Sequence, residues 1–292
     1  MKKILTITIA LLLGITLNAQ KLKHDGGFVR HDGSTVVQPG VSYSTEFQAV
    51  IDEWTSLGYV AGADTLAQYD NMLTRILDTC NVDAFWFFAV TNNDNGEALV
   101  EWINPGVDDA TAVNTITFTK YEGVASNGTD SYIDLNYNAS SDATYYSLNS
   151  GTVGWYVRTN INDASYDLGA RDGSNYLRAN INTGGDFIIT MNSDGSMADT
   201  SPGAGMWIVT RTASDAYQFW VDNVSIATDT DATTGIPNLD LYLGTYNLYG
   251  SPSGYDTNQF SALIICEELS DQQRAEVDDA IRDMMTYLGK AV

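Results

Sequence analysis

The chain has 292 residues with 37 acidic against 14 basic side chains, a formal net charge of −23. That balance repels nucleic acid and anionic membrane surfaces, so neither is expected as a partner. At 44% hydrophobic and 11% aromatic residues, the length suits one large β domain or two small ones with a sizeable core.

Met1-Lys-Lys, the apolar run 4–17 and Asn18-Ala19-Gln20 read as a secretory signal cut near Ala19, which predicts a secreted or periplasmic protein. The run is shorter than the ~18–20 residues that cross a bilayer, and no later segment is long and apolar enough to do so. Residues 20–43 read as a linker holding both histidines, in the repeated tripeptides His24-Asp-Gly and His31-Asp-Gly, a weak metal-ligand pattern. Residues 44–111 read as a helical region with a short strand pair. Thr45 with Gln48 predicts a capping box, and Phe47, Val50, Ile51, Trp54 and Leu57 make one apolar face ended by Gly58. A second helix runs from about Asp64 to Cys80. The apolar run 85–90 predicts a buried strand, and Asn95-Gly96 predicts a hairpin turn into a partner strand over 97–103.

From residue 112 to 292 the pattern is mainly β. Short strands are expected at 115–121, 151–158, 166–171, 176–181, 186–192, 206–211, 217–222, 239–244 and 260–267, with hairpins at Asn127-Gly128 and Asp222-Asn223. Such strands, punctuated by Gly, Asn and Asp, predict an antiparallel jelly-roll β-sandwich. Ser270 with Gln273 caps a C-terminal helix whose face is Val277, Ile281, Met284, Met285 and Leu288. It is expected to cover a sheet edge.

Asn127-Gly-Thr-Asp-Ser-Tyr-Ile, Tyr217-Gln-Phe-Trp-Val-Asp-Asn, Leu241-Tyr-Leu-Gly and Phe260-Ser-Ala-Leu-Ile-Ile-Cys-Glu-Glu-Leu-Ser-Asp-Gln-Gln follow one another in that order. In this order they resemble the concanavalin A-like, laminin-G-like jelly-roll superfamily over about half the chain. Asn223 stands where such domains usually carry Gly, and Asn also accepts φ > 0. Glu101-Trp-Ile-Asn-Pro resembles a segment of uncharacterised bacterial and phage proteins. The superfamily includes lectins, adhesion modules, virion fibre domains and glycoside hydrolases, so the resemblance implies a fold and leaves function open. It also implies calcium in Asp-rich loops, with Asp222, Asp229, Asp231, Asp240 and Asp256 as ligand candidates and Asp222 and Asp240 put forward.

For hydrolysis, only Glu97 and Glu101 have the outer spacing of an alternating carboxylate set, and Leu99 stands where an Asp is needed. On a strand they would lie ~13 Å apart, against the ~5–5.5 Å of a retaining pair. Both histidines fall in the linker, so no Ser-His-Asp set is supported. The chain is therefore not expected to be an enzyme, and a diverged glycoside hydrolase is the third reading. Strand alternation sets Tyr156, Arg158, Tyr176, Arg178, Gln218 and Trp220 opposite the apolar parity, with Arg171 similarly placed. Aromatic rings stack on sugar faces and a guanidinium fork binds hydroxyls or carboxylates, so these seven residues are the expected ligand face. The bland alternative is that the arginines pair with neighbouring aspartates. Cys80 and Cys266 form either a disulfide or two buried thiols. The leading reading is a secreted, non-catalytic binder of carbohydrate or another extracellular surface. A structural module, such as a virion fibre or surface-assembly component, is the second. Oligomeric state is left open.

Overall fold

A computed structural model describes residues 42–59, 62–159, 164–181, 185–200 and 203–292. The expected signal, both histidines and the linker up to residue 41 lie outside the described residues. Tyr43–Val292 form one compact unit. The elements are numbered in chain order.

Two sheets make a sandwich, as the strand pattern predicts. In the first, the order is β13 (Val224–Asp229), β12 (Ala216–Val221), β11 (Gly205–Ala213), β6 (Gly151–Val157), β17 (Gln259–Cys266), β4 (Gly123–Ala125) and β3 (Thr117–Thr119). β1 (Val82–Phe87) also pairs with β17. In the second, the order is β10 (Met197–Thr200), β9 (Asp186–Ser193), β8 (Asn175–Ile181), β7 (Tyr166–Asp172), β14 (Tyr242–Leu243), β5 (Tyr132–Asp134) and β2 (Thr111–Val113). β15 (Tyr246–Leu248) runs parallel to β7 and antiparallel to β16 (Ser251–Ser253); the other pairings are antiparallel.

The sheets meet through alternating side chains. Trp207 and Phe219 of the first pack on Phe187 of the second, with Phe187–Phe219 centroids 4.6 Å apart, and Trp155 lies against Trp207 and Phe219. Arg211 also points into this interior. It is fully buried, and with no ion pair among the described residues, its guanidinium donates to the carbonyls of Met191, Ala213, Ser214 and Asp231, over the Tyr217 ring. Five charge-assisted bonds offset the cost of burying the cation. Alternation arguments count apolar residues, so they miss this one.

The helices α1 (Thr45–Ser56), α2 (Ala63–Thr79) and α3 (Asp271–Tyr287) join the same core. The cap of α1 is Ser44, not Thr45. Its Oγ accepts from Phe47 N at 3.2 Å and donates to Asp70 Oδ1 at 2.6 Å, which ties α1 to α2. Trp54, Tyr69, Phe85 and Trp102 form the aromatic centre of this region. The predicted capping box of α3 is present.

Two predicted hairpins are different objects. Asn95-Gly96 leads into a single 3₁₀ turn, Glu97–Leu99, because the loop wraps the buried Glu97 carboxylate, which accepts from Asn95 N, Asn95 Nδ2 and Asn92 Nδ2. Around Asn127-Gly128, β4 and β5 belong to different sheets, so the turn is a crossover. The Asn127 side chain organises it by accepting three successive backbone N–H bonds. Asp222-Asn223 does form the β12–β13 turn, with φ of 48° and 64°.

Candidate functional site

The seven expected ligand residues divide between the two sheets. Tyr156, Arg158, Gln218 and Trp220 lie on or next to the first sheet. All but Gln218 are roofed or paired: α3 packs over the face of this sheet at β11, instead of covering an edge. Tyr156 is 0% exposed and its hydroxyl accepts from Val292 N at 3.1 Å. Arg274 of α3 lies 3.8 Å from the Trp220 ring centroid and donates to Asn223. Arg158 faces Glu122 at 3.9 Å, and Glu122 also pairs with Lys290. Gln218 remains exposed.

Arg171, Tyr176 and Arg178 come together on the outer face of the second sheet. Arg171 and Tyr176 are direct cross-strand partners, as are Arg178 and Thr190. Both guanidiniums lie against one ring, Arg171 at 4.3 Å and Arg178 at 5.0 Å from the Tyr176 centroid. Nε of Arg171 donates to Gly173 O at 3.1 Å, and Nε of Arg178 donates to Thr190 Oγ1 at 3.3 Å. Gly169, opposite Arg178, allows this close pairing. At φ +150° a Cβ there would sit 2.5 Å from Leu177 O and 2.9 Å from Arg178 Cα.

Tyrosines that the sequence reading did not select complete the patch. Tyr246 of β15 stacks on Tyr166 of β7 at 4.6 Å and 10°. Its ring is buried and its hydroxyl has no partner among the described residues. Burial raises its pKa, while Arg178 and Arg171 act to lower it. Tyr249 is 58% exposed with φ 55°, a strained conformation for a bulky residue, and its ring lies 5.3 Å from Arg171. β15 and β16 are three residues each, too short for alternation to reveal. The Tyr249-Gly250 turn was the available signal.

The candidate carboxylates serve the scaffold. Glu101 is fully buried and accepts from Phe85 N at 2.6 Å, Ile103 N at 2.9 Å and Asn104 N. Burial pushes its pKa up to about 7 against those three bonds. Glu97 is equally buried. Asp222 accepts from Met206 N at 2.9 Å and lies 3.8 Å from Arg282. Asp240 lies on the other sheet's side of the molecule, where burial and then Asp142 raise its pKa, and where it in turn raises that of Asp134. The two expected calcium ligands are thus not brought together, and no group of three or more His, Cys, Asp or Glu among the described residues is arranged to hold a metal ion. Asp167, which bulges out of the β7–β8 register, takes Trp155 Nε1 at 3.1 Å and Asn258 Nδ2 at 3.1 Å. Burial and then Asp256 hold its pKa well above the usual carboxylate range. Cys80 and Cys266 are buried free thiols; burial, then Cys80, raises the Cys266 pKa.

No protein-family model matches the sequence, and no curated protein matches it. Solved structures do. A mutant of Trypanosoma rangeli sialidase displaying trans-sialidase activity superposes with TM-score 0.50 at 12% identity, over 76% of this chain and 38% of that one. Domain 4 of AbnA, a GH43 extracellular arabinanase from Geobacillus stearothermophilus, in complex with arabinotriose, gives TM-score 0.47 at 17% identity, over 68% and 98%. The botulinum neurotoxin serotype D binding domain gives 0.48 at 12%, over 71% and 53%. The chain thus spans well under half of the sialidase and about half of the toxin chain. At these identities the likeness is one of β-sandwich fold. No helix among the described residues is long and apolar enough to cross a membrane.

Proposed function

We propose that this chain is a secreted, non-catalytic recognition protein of laminin-G-like type, which binds saccharide on the outer face of its second sheet. The observation that carries the reading is the Tyr176 ring flanked by Arg171 and Arg178, with the exposed Tyr249 beside it. The positive φ of Tyr249, with that of Gly250, is the geometry of a two-residue β15–β16 hairpin loop, which leaves the ring exposed next to Arg171. The ring faces supply stacking area and the guanidiniums supply directed donors, the two components of sugar recognition. Hydrolysis is left out of the proposal because Glu97 and Glu101 are both consumed as buried acceptors of loop donors. Export follows the reading of residues 1–19 and is checked by N-terminal sequencing of the mature protein. The binding reading is tested by a glycan array run with wild type, Tyr176→Ala and Tyr249→Ala, each with and without a calcium chelator. Binding by wild type that both variants lose is expected. Binding that both variants retain would move the site elsewhere.

A further inference from the structure

Among the described arginines that are only partly buried, Arg75 meets Glu276 and Asp283, Arg158 meets Glu122, and Arg282 meets Asp278 and Asp222. Arg171 and Arg178 meet no carboxylate. This occurs in a chain with 37 acidic and 14 basic residues, where a carboxylate partner is easily found for any arginine. Both guanidiniums are held by the protein in the same way. Nε is spent on a neighbouring oxygen, at 3.1 Å in one and 3.3 Å in the other, and the terminal nitrogens of each have no partner among the described residues. A guanidinium anchored through Nε presents its terminal N–H groups as a preset fork for a planar anion. The two cations also share one ring, which attracts both and neutralises neither. Their mutual repulsion is relieved by an anion placed between them. Beside them, Tyr246 of β15 stacks on Tyr166 and has a buried hydroxyl with no partner among the described residues.

We infer that the saccharide bound here is acidic, and that its carboxylate is held by the terminal nitrogens of Arg171 and Arg178 while a sugar ring packs on the tyrosines. The inference rests on the proposed recognition function and narrows it to one ligand class. A neutral sugar would use the aromatic surface but leave the paired cations unmatched. Lysine would keep the charge and lose the fork.

The test is an array of matched pairs: oligogalacturonates against their methyl esters, sialyllactose against lactose, and sulfated against unsulfated glycans. It is run with wild type, Arg171→Gln, Arg178→Gln and Arg178→Lys, with melting temperature as the folding control. Carboxylate members are expected to bind about tenfold or more tightly than their neutral counterparts, and the difference is expected to vanish in both Gln variants. Arg178→Lys is expected to fall between. If one Gln variant fails to fold, the other and Arg178→Lys carry the comparison. Equal binding of acidic and neutral members overturns the inference and leaves the recognition function standing. Binding confined to sulfated members overturns the carboxylate. No binding to any member overturns both.

Discussion

The two outer faces of the sandwich carry similar residues and do opposite things. On the first sheet, Arg and aromatic side chains of the outward parity lie under α3 and the chain's end: Trp220 beneath Arg274, Tyr156 against Val292, Arg158 beside Glu122 and close to Lys290. On the second, Arg171, Tyr176 and Arg178 meet one another, with Tyr249 exposed beside them. An Arg–aromatic contact is therefore not itself a sign of a site. What matters is whether a third element lies on top: Arg158 Nε and Nη1 and Arg274 Nε also lack a partner among the described residues, but they are buried.

The comparison can be broken most severely at Tyr156. Tyr156→Ala removes a fully buried ring from the covered face; a loss of about 3–5 kcal/mol is expected by urea unfolding, with saccharide binding by the remaining folded protein unchanged. Lost binding at intact stability would mean that the covered face is the site. Gly169→Ala comes next. Its Cβ would press on the backbone at Arg178, and a cost of about 1–3 kcal/mol is expected together with weaker binding, because β7 and β8 would no longer hold the two guanidiniums around Tyr176. Arg178→Gln is expected to change stability by less than ~1 kcal/mol, since its one bond is to Thr190, while abolishing preference for acidic sugars. A folding defect at that position would return Arg178 to the role of a structural residue.

Acid titration sharpens the comparison from the covered side. Burial first, against the opposing pull of Arg282, raises the pKa of Asp278 from 3.8 to about 7. A group whose folded pKa is raised contributes stability that is complete below the unfolded pKa and is lost as pH rises through the folded one. Glu101, also raised to about 7, and Asp167 act in the same direction. The melting temperature is therefore expected to fall between pH 4.5 and 7.5. Asp278→Asn is expected to flatten part of that slope and to leave saccharide binding unaltered. An unchanged slope in Asp278→Asn would mean that this carboxyl does not carry a shifted proton.

Much of the framework was legible. The alternation at Leu177, Ala179 against Tyr176, Arg178 marks β8 and its two faces, and Ser270 with Gln273 marks the start of α3. Less of the patch was. Tyr246 sits on a strand too short for period-2 reading, Tyr249 sits in the turn after it, and the role of Gly169 depends on the backbone of a neighbouring strand. The buried polar groups were the least visible. Asp83 accepts from the backbone N–H groups of Thr144, Tyr145 and Tyr146, and Arg211 collects carbonyls from three separate segments. Their partners lie far along the chain, so no local window contains the pair.

By itself the sequence determined where strands, turns and helix caps fall, because alternation, left-handed turn residues and caps are properties of a few consecutive residues. It also determined which side chains share a parity. The tertiary structure alone decided what lies above each parity. Tyr156 and Trp220 are covered because α3 and the residues after it fold back over β6, β11 and β12, while the residues facing Arg171 and Arg178 leave their terminal nitrogens unspent. Cover is set by packing between distant elements, and that is what separates a structural arginine from one available to a ligand.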